Sequence, residues 1–274
     1  MHSLGVDLSA RPVRAVIVGE RGAVIGRGSG ATGAAAVRAA GSHKVERAGV
    51  AAADAGEKIA VPHVSRVSRC TPGGAAIAAE AWIGAAKHAR NAVFLHVGDD
   101  VYAGLILDGK PWTGAHGRAG AAGWLALNPV ERQDYRRLGS LAAEISVGGI
   151  ARRLSWRVQA GDHSQVLDAA GSIDAITGAL VFDAARAGDG VAISVVRDTA
   201  RYIGMAVATF AAAVDPDVVV VGGSAAIADL MLEAVRHECA RRLPLEWMTD
   251  LRVEFSALGP DAVAIGAARL AMTA

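Results

Sequence analysis

The chain reads as a two-domain α/β protein in which each domain opens on a meander of strands. Three observations predict this. A length of 274 residues sets an expectation of one to two domains. Short apolar runs separated by Gly-containing turns occur near the start and again from Ala92, with the same architecture but not the same sequence. From about residue 140 the pattern turns helical around one uninterrupted run, Val218–Val221, as expected for a buried parallel strand.

In order, residues 4–8 and 13–18 read as strands joined by the turn Ser9-Ala10-Arg11-Pro12, and Glu20-Arg21-Gly22 turns into a third strand at 23–25. Residues 28–47 have no clear period beyond a short helix around 34–40. Ala48–Ala52 and Ile59–Val61 read as strands. Thr71-Pro72 starts a helix over 73–88, with Thr as N-cap and Pro at the first helical position. Strands follow at Ala92–Val97 and Val101–Leu107, then a tight Asp108-Gly109 turn. Ile176–Ala187 is a helix stopped by Gly188, and Asp189 caps a long helix over 190–213 that Asp215-Pro216 ends. After Val218–Val221, Gly222-Gly223-Ser224 turns the chain into a helix over 226–241. Val253–Phe255 is the last strand, and 260–273 is an Ala-rich helix.

The apolar fraction of 52% excludes a disordered chain, and with sixty alanines and only 4% aromatics the core is built from small side chains. A net charge of +1 gives no global field for nucleic acid or a membrane surface. No uncharged apolar run approaches the roughly 18 residues a membrane span needs, and no signal peptide is evident. Cys70 and Cys239 are too few for a disulfide framework or a four-cysteine zinc site. A cytoplasmic protein is the expectation.

The stretches Val181–Asp189, Tyr202-Ile203-Gly204, Asp215–Gly223, Gly104–Lys110 and Gly114-Ala115-His116-Gly117 together resemble the ROK family of sugar kinases and related regulators, within the actin–Hsp70–sugar-kinase superfamily. The resemblance implies a two-lobed, ribonuclease H-like α/β fold with a mixed sheet in each lobe. Residues 1–84 would form a shortened small lobe, with the C-terminal helix 260–274 packed back on it, and 85–259 the large lobe. It also implies a homodimer through the large lobe, a small-molecule ligand in the interlobe cleft, and ATP with magnesium; the net charge of +1 argues against a nucleic-acid or membrane partner.

The positions that should carry the chemistry differ from the family pattern. In the first phosphate loop Gly5 and Asp7 remain, but Ser9, Ala10 and Arg11 replace two glycines and a threonine. Asp7 would help hold magnesium; it is also a polar residue at a strand end. In the second loop Asp99 and Asp100 replace Thr and Gly. Like charges about 4 Å apart cost roughly 4 kcal/mol at an effective dielectric near 20, so without a cation the loop repels ATP. A solvated acidic hairpin turn is the simpler account of it. The family's catalytic Asp aligns with Pro72, which cannot take a proton; loss of a general base costs about 10²–10⁴-fold. In the sugar and zinc segment Arg118 stands for a Glu and Trp124 for a zinc-ligand His, while Gln133, Tyr135, Gly139 and Ser140 occupy the positions around the family's cysteine motif, so no zinc is expected. His96 and His116 remain. Gly222-Gly223-Ser224 fits a nucleotide-binding turn at a helix start, and fits a plain strand-to-helix turn as well.

The expectation is therefore a sugar-kinase relative that has lost ATP-dependent phosphorylation and retains a binding or structural role. The alternatives are an enzyme with a site rebuilt from Asp99, Asp100, His116 and Arg118, a still-active atypical sugar kinase, and a repressor. The last is disfavoured because the chain starts in its first strand and leaves no room for a helix-turn-helix.

Overall fold

The computed structural model describes residues 2–53, 64 and 66–274. They form two compact units: Met1–Phe94 with Ala103–Gly120 and Ser256–Ala274, and Leu95–Tyr102 with Ala121–Phe255. The strand expected at Ile59–Val61 lies outside the described residues.

In the first unit β1 (His2–Asp7), β2 (Val13–Gly19) and β3 (Val24–Gly30) form the expected antiparallel meander. β3 runs five residues beyond the expected strand end. Its glycines alternate, and α1 (Gly33–Ala39) lies on that bare face: a Cβ on Gly26 or Gly28 would come within 2.3 Å of the Ala40 or Ala36 carbonyl oxygen. β4 (Arg47–Ala51) adds parallel to β1, and β5 (Val67–Cys70) parallel to β4, giving the order β3-β2-β1-β4-β5. β5 was not expected; it is a polar edge strand with little apolar alternation to reveal it.

α2 (Pro72–Ile83) starts as the Thr71-Pro72 pair predicts but stops five residues before the expected end at 88. Glu80 is the reason. Its carboxylate turns back over the helix end to accept the Ala85 N–H at 2.9 Å and the Ser256 hydroxyl at 2.5 Å, and a Cβ on Gly84 would lie 2.0 Å from it. Burial raises the Glu80 carboxyl above its ordinary value, against those two hydrogen bonds.

β6 (Ala92–Val97), β7 (Val101–Leu107) and the two-residue β8 (Lys110–Pro111) repeat the meander, with β8 antiparallel to β7. The helical region of the second unit comprises α3 (Gln133–Leu138), α4 (Ser140–Ile145), α5 (Val147–Gln159), α6 (Gln165–Ala170), α7 (Gly178–Arg186) and α8 (Gly190–Val214). Asp189 caps α8 through the Ala192 N–H at 2.8 Å. β9 (Val218–Gly223) is buried along Val218–Val221 and parallel to β10 (Arg252–Phe255). Between them lie α9 (Ala226–Leu230), α10 (Leu232–Ala240) and α11 (Trp247–Asp250). The single helix expected over 226–241 is thus broken at Met231, whose φ of −126° leaves the helical range. The second sheet has the order β10-β9-β6-β7-β8. α12 (Ala262–Thr273) returns to the first unit and packs on β1, β4 and α2. Among the described residues no helix is long and apolar enough to cross a membrane.

Candidate functional site

In the first unit the parallel strands end side by side, with Asp7 paired to Ala51 and Ala51 to Cys70. The carboxyl edge of such strands is where open α/β sheets hold ligands. Asp7 is buried, and its Oδ1 accepts the Ser9 N–H at 2.9 Å, the Ser9 hydroxyl at 2.6 Å and the Ala10 N–H at 3.3 Å. Burial raises its pKa, opposed chiefly by Ser9. Arg11 folds onto the same turn, donating to the carbonyls of Leu8 at 2.6 Å and Ala10 at 3.0 Å. Burial, assisted by the Asp7 charge, pushes the Cys70 thiol up to about 12, so it stays protonated and is no nucleophile.

Pro72, separated from β5 by Thr71 alone, is the first residue of α2. Thr71 caps the helix through the Gly74 N–H at 3.1 Å. The next residue, Gly73, meets β7 backbone to backbone: a Cβ there would lie 2.0 Å from the Ala103 carbonyl oxygen. Ala103 donates its N–H to the Gly120 carbonyl at 2.6 Å, which ties the 114–120 loop to the same place. His116 and Arg118, on that loop, are exposed, and neither side chain has a partner among the described residues.

In the second unit the chain turns at Gly98–Asp100, with Asp99 and Asp100 exposed. The turn is fixed by its backbone: Val147 at the start of α5 donates to the Gly98 carbonyl at 2.9 Å, and Gly98 to the Asp100 carbonyl at 3.1 Å. Gly222-Gly223-Ser224 comes to the same strand end. The Ser224 N–H donates to the Val97 carbonyl at 3.0 Å, and Gly223, at φ +116°, would place a Cβ 2.0 Å from that oxygen. The structure therefore places Asp7, Arg11 and Pro72 along the carboxyl edge of one sheet, and brings the 98–100 turn and Gly222–Ser224 to one strand end in the other unit. Among the described residues no group of three or more His, Cys, Asp or Glu is arranged to hold a metal ion.

His96 lies flat on Tyr102, ring centroids 4.4 Å apart and planes 5° from parallel, and burial pulls it down to about 4. The folded chain thus binds this proton more weakly than the unfolded chain does. The stability this contributes is complete above the ordinary value of 6.5 and is lost as pH falls from there through about 4, to a limit of about 3 kcal/mol. His96→Phe keeps a ring against Tyr102 and removes the titration. Urea unfolding at pH 7 and at pH 4.5 should show a smaller acid loss for the variant; equal losses would place the sensitivity elsewhere.

Around the segment matched to the zinc motif, a polar network takes the place of thiolates. The Tyr135 hydroxyl donates to buried Glu144, and Asn128 Nδ2 reaches the hydroxyls of Tyr135 and Tyr202, each at 3.1 Å. Arg153 meets Glu144 at 2.5 Å and Arg132 meets it at 3.3 Å. Burial, then Glu144, pushes the Tyr135 phenol up to about 12. Trp124 stands 61% exposed. Sequence reading missed this network; the lone acid in the apolar Ser140–Ile145 stretch was its one visible sign.

The ROK family model matches residues 74–274. A glucokinase from Halalkalibacterium halodurans is 32% identical over 191 residues, 68% of this chain and 58% of that protein. The bifunctional enzyme NanE/NanK of Brucella melitensis is 32% identical over 199 residues, 71% of this chain and 34% of that one. The matched stretches therefore span about a third to somewhat over half of these relatives. Among solved structures, a ROK family glucokinase from Streptomyces griseus, in complex with glucose and AMPPNP, superposes with a TM-score of 0.83 at 25% identity, covering 100% of both chains.

Proposed function

The chain belongs to the ROK family, and from that premise we propose that it keeps the sugar-kinase fold as a sugar-binding protein without ATP-dependent phosphorylation. The observation that carries this reading is Pro72, at the head of α2, in the position the family resemblance gives to the general base. Two features support it. Asp7 Oδ1 already accepts three hydrogen bonds from its own turn, and the 98–100 turn offers carboxylates where phosphate would need backbone N–H groups. The test is a coupled ADP-release assay with ATP, magnesium and glucose, N-acetylglucosamine or N-acetylmannosamine, beside a thermal-shift series with the sugars alone. The expected result is no ADP release above the sugar-free rate together with a melting shift from at least one sugar. ADP release at ordinary enzyme rates overturns the reading.

A further inference from the structure

A cavity of about 1020 Å³ lies wholly within the second unit, and none of the Asp99, Asp100 or Gly222–Ser224 positions lines it. Its size suits a ligand of drug-like dimensions or larger. Three helices build it. Each turns a pair of residues one helical turn apart toward it: Arg153 and Arg157 from α5, Arg197 and Arg201 from α8, His237 and Arg241 from α10. α8 and α10 pack closely because Gly204 gives way to Glu238; a Cβ on Gly204 would lie 2.7 Å from the Glu238 Cβ.

The charge of this wall is out of proportion to the chain. With Arg132 and Arg242, seven arginines face only three carboxylates, a formal +4 with His237 neutral, in a chain whose net charge is +1. The carboxylates are already shared. Glu144 holds Arg153 and Arg132, Glu238 holds Arg241 and Arg242, and Asp198 holds Arg201 at 3.0 Å; Arg157 is met by Asp162, outside the lining, which still leaves an excess of three positive charges. Burial works to raise the Glu238 carboxyl, but Arg242 and Arg241 outweigh it and hold it below its ordinary value, so it stays ionised. Arg197 has no ion pair among the described residues. The unbalanced guanidiniums repel one another, and an anion between them relieves that repulsion. Guanidinium forks suit phosphate oxygens in paired hydrogen bonds. Trp156, flanked by Arg132 and Arg152 at 5.6 Å each, gives the wall an aromatic surface as well.

We propose that this cavity is a binding site for a small anion carrying at least two phosphate groups, separate from the sugar-kinase motifs. The probe is inorganic pyrophosphate, titrated calorimetrically at about 0.1 M ionic strength, where screening acts over about 10 Å. Arg197→Ala/Arg201→Ala removes two exposed charges from α8 while keeping good helix formers. Arg21→Ala/Arg38→Ala removes two exposed charges from the first unit and serves as the equal-charge control. Circular dichroism and melting temperature show whether both fold. The expected result is one pyrophosphate per chain for the unaltered protein and the control, with affinity at least about tenfold weaker for the α8 variant. No saturable binding up to about 1 mM overturns the proposal. Equal weakening in the two variants overturns it too, because the attraction would then belong to overall charge.

Discussion

Gly266→Val should abolish cooperative folding of the first unit. A Cβ on Gly266 would stand 1.6 Å from the Ala75 carbonyl oxygen of α2, so even a methyl group requires two backbones to separate. The same helix is seated on the sheet in the same way: a Cβ on Gly5 of β1 would be 1.8 Å from the Ala264 oxygen, and on Gly49 of β4 1.9 Å from the Ala267 oxygen. α12 thus touches three elements backbone to backbone, close enough for Cα–H to carbonyl contacts. Overpacking a dense core typically costs about 1–3 kcal/mol, and parting α12 from α2 also loosens the buried Ala75, Ala79, Ala264 and Ala268 contacts. A loss of about 5 kcal/mol or more is expected, comparable to the whole stability of many domains. Gly148→Ala is the control. It lies in the first turn of α5 with nothing within 4 Å of the added methyl, so its stability should stay level or rise by up to about 1 kcal/mol. Urea unfolding followed by circular dichroism measures both; an unchanged midpoint for Gly266→Val would mean that α12 is not seated this way.

That helix shows which parts of the fold were legible. Apolar periodicity and caps place α8, β9, α12 and the two meanders, because there side-chain pattern and burial coincide. The far half of β3 was hidden because its packing face is glycine, which carries no hydropathy signal, and what holds α1 there is the absence of side chains. The end of α2 was hidden because it depends on Glu80 reaching Ser256, 176 residues away. The motif positions Asp7, Arg11, Pro72, Asp99, Asp100 and Gly222–Ser224 are assigned by resemblance alone. The arginine-lined cavity was not, since its residues come from α5, α8 and α10 and meet only when those helices pack. In the sequence each is one more arginine on an exposed helix face.

Restoring the base alone should leave phosphoryl transfer undetected. Pro72→Asp should fold, because Thr71 still caps α2 and a carboxylate in the first turn of a helix is favoured. The new Asp would stand two residues from Cys70, whose thiol already feels the Asp7 charge. At the helix N-terminus the new carboxylate is favoured in its ionised form, the form that accepts a proton. The variant therefore recovers the group whose loss costs about 10²–10⁴-fold, and the deficit that remains lies with the nucleotide-side carboxylates and with Arg118 in the sugar segment. Transfer of a phosphoryl group depends almost wholly on positioning and charge around the phosphates, and Asp99 and Asp100 would oppose both. Asp99→Thr/Asp100→Gly should accordingly produce a melting shift with ATP and magnesium that neither the unaltered chain nor Pro72→Asp shows. No combination that leaves Asp99 and Asp100 in place should release ADP in the presence of a sugar. If Pro72→Asp alone turns over at about 1–10³ per second, the exposed 98–100 turn admits ATP as it stands, and the missing base is the whole of the defect.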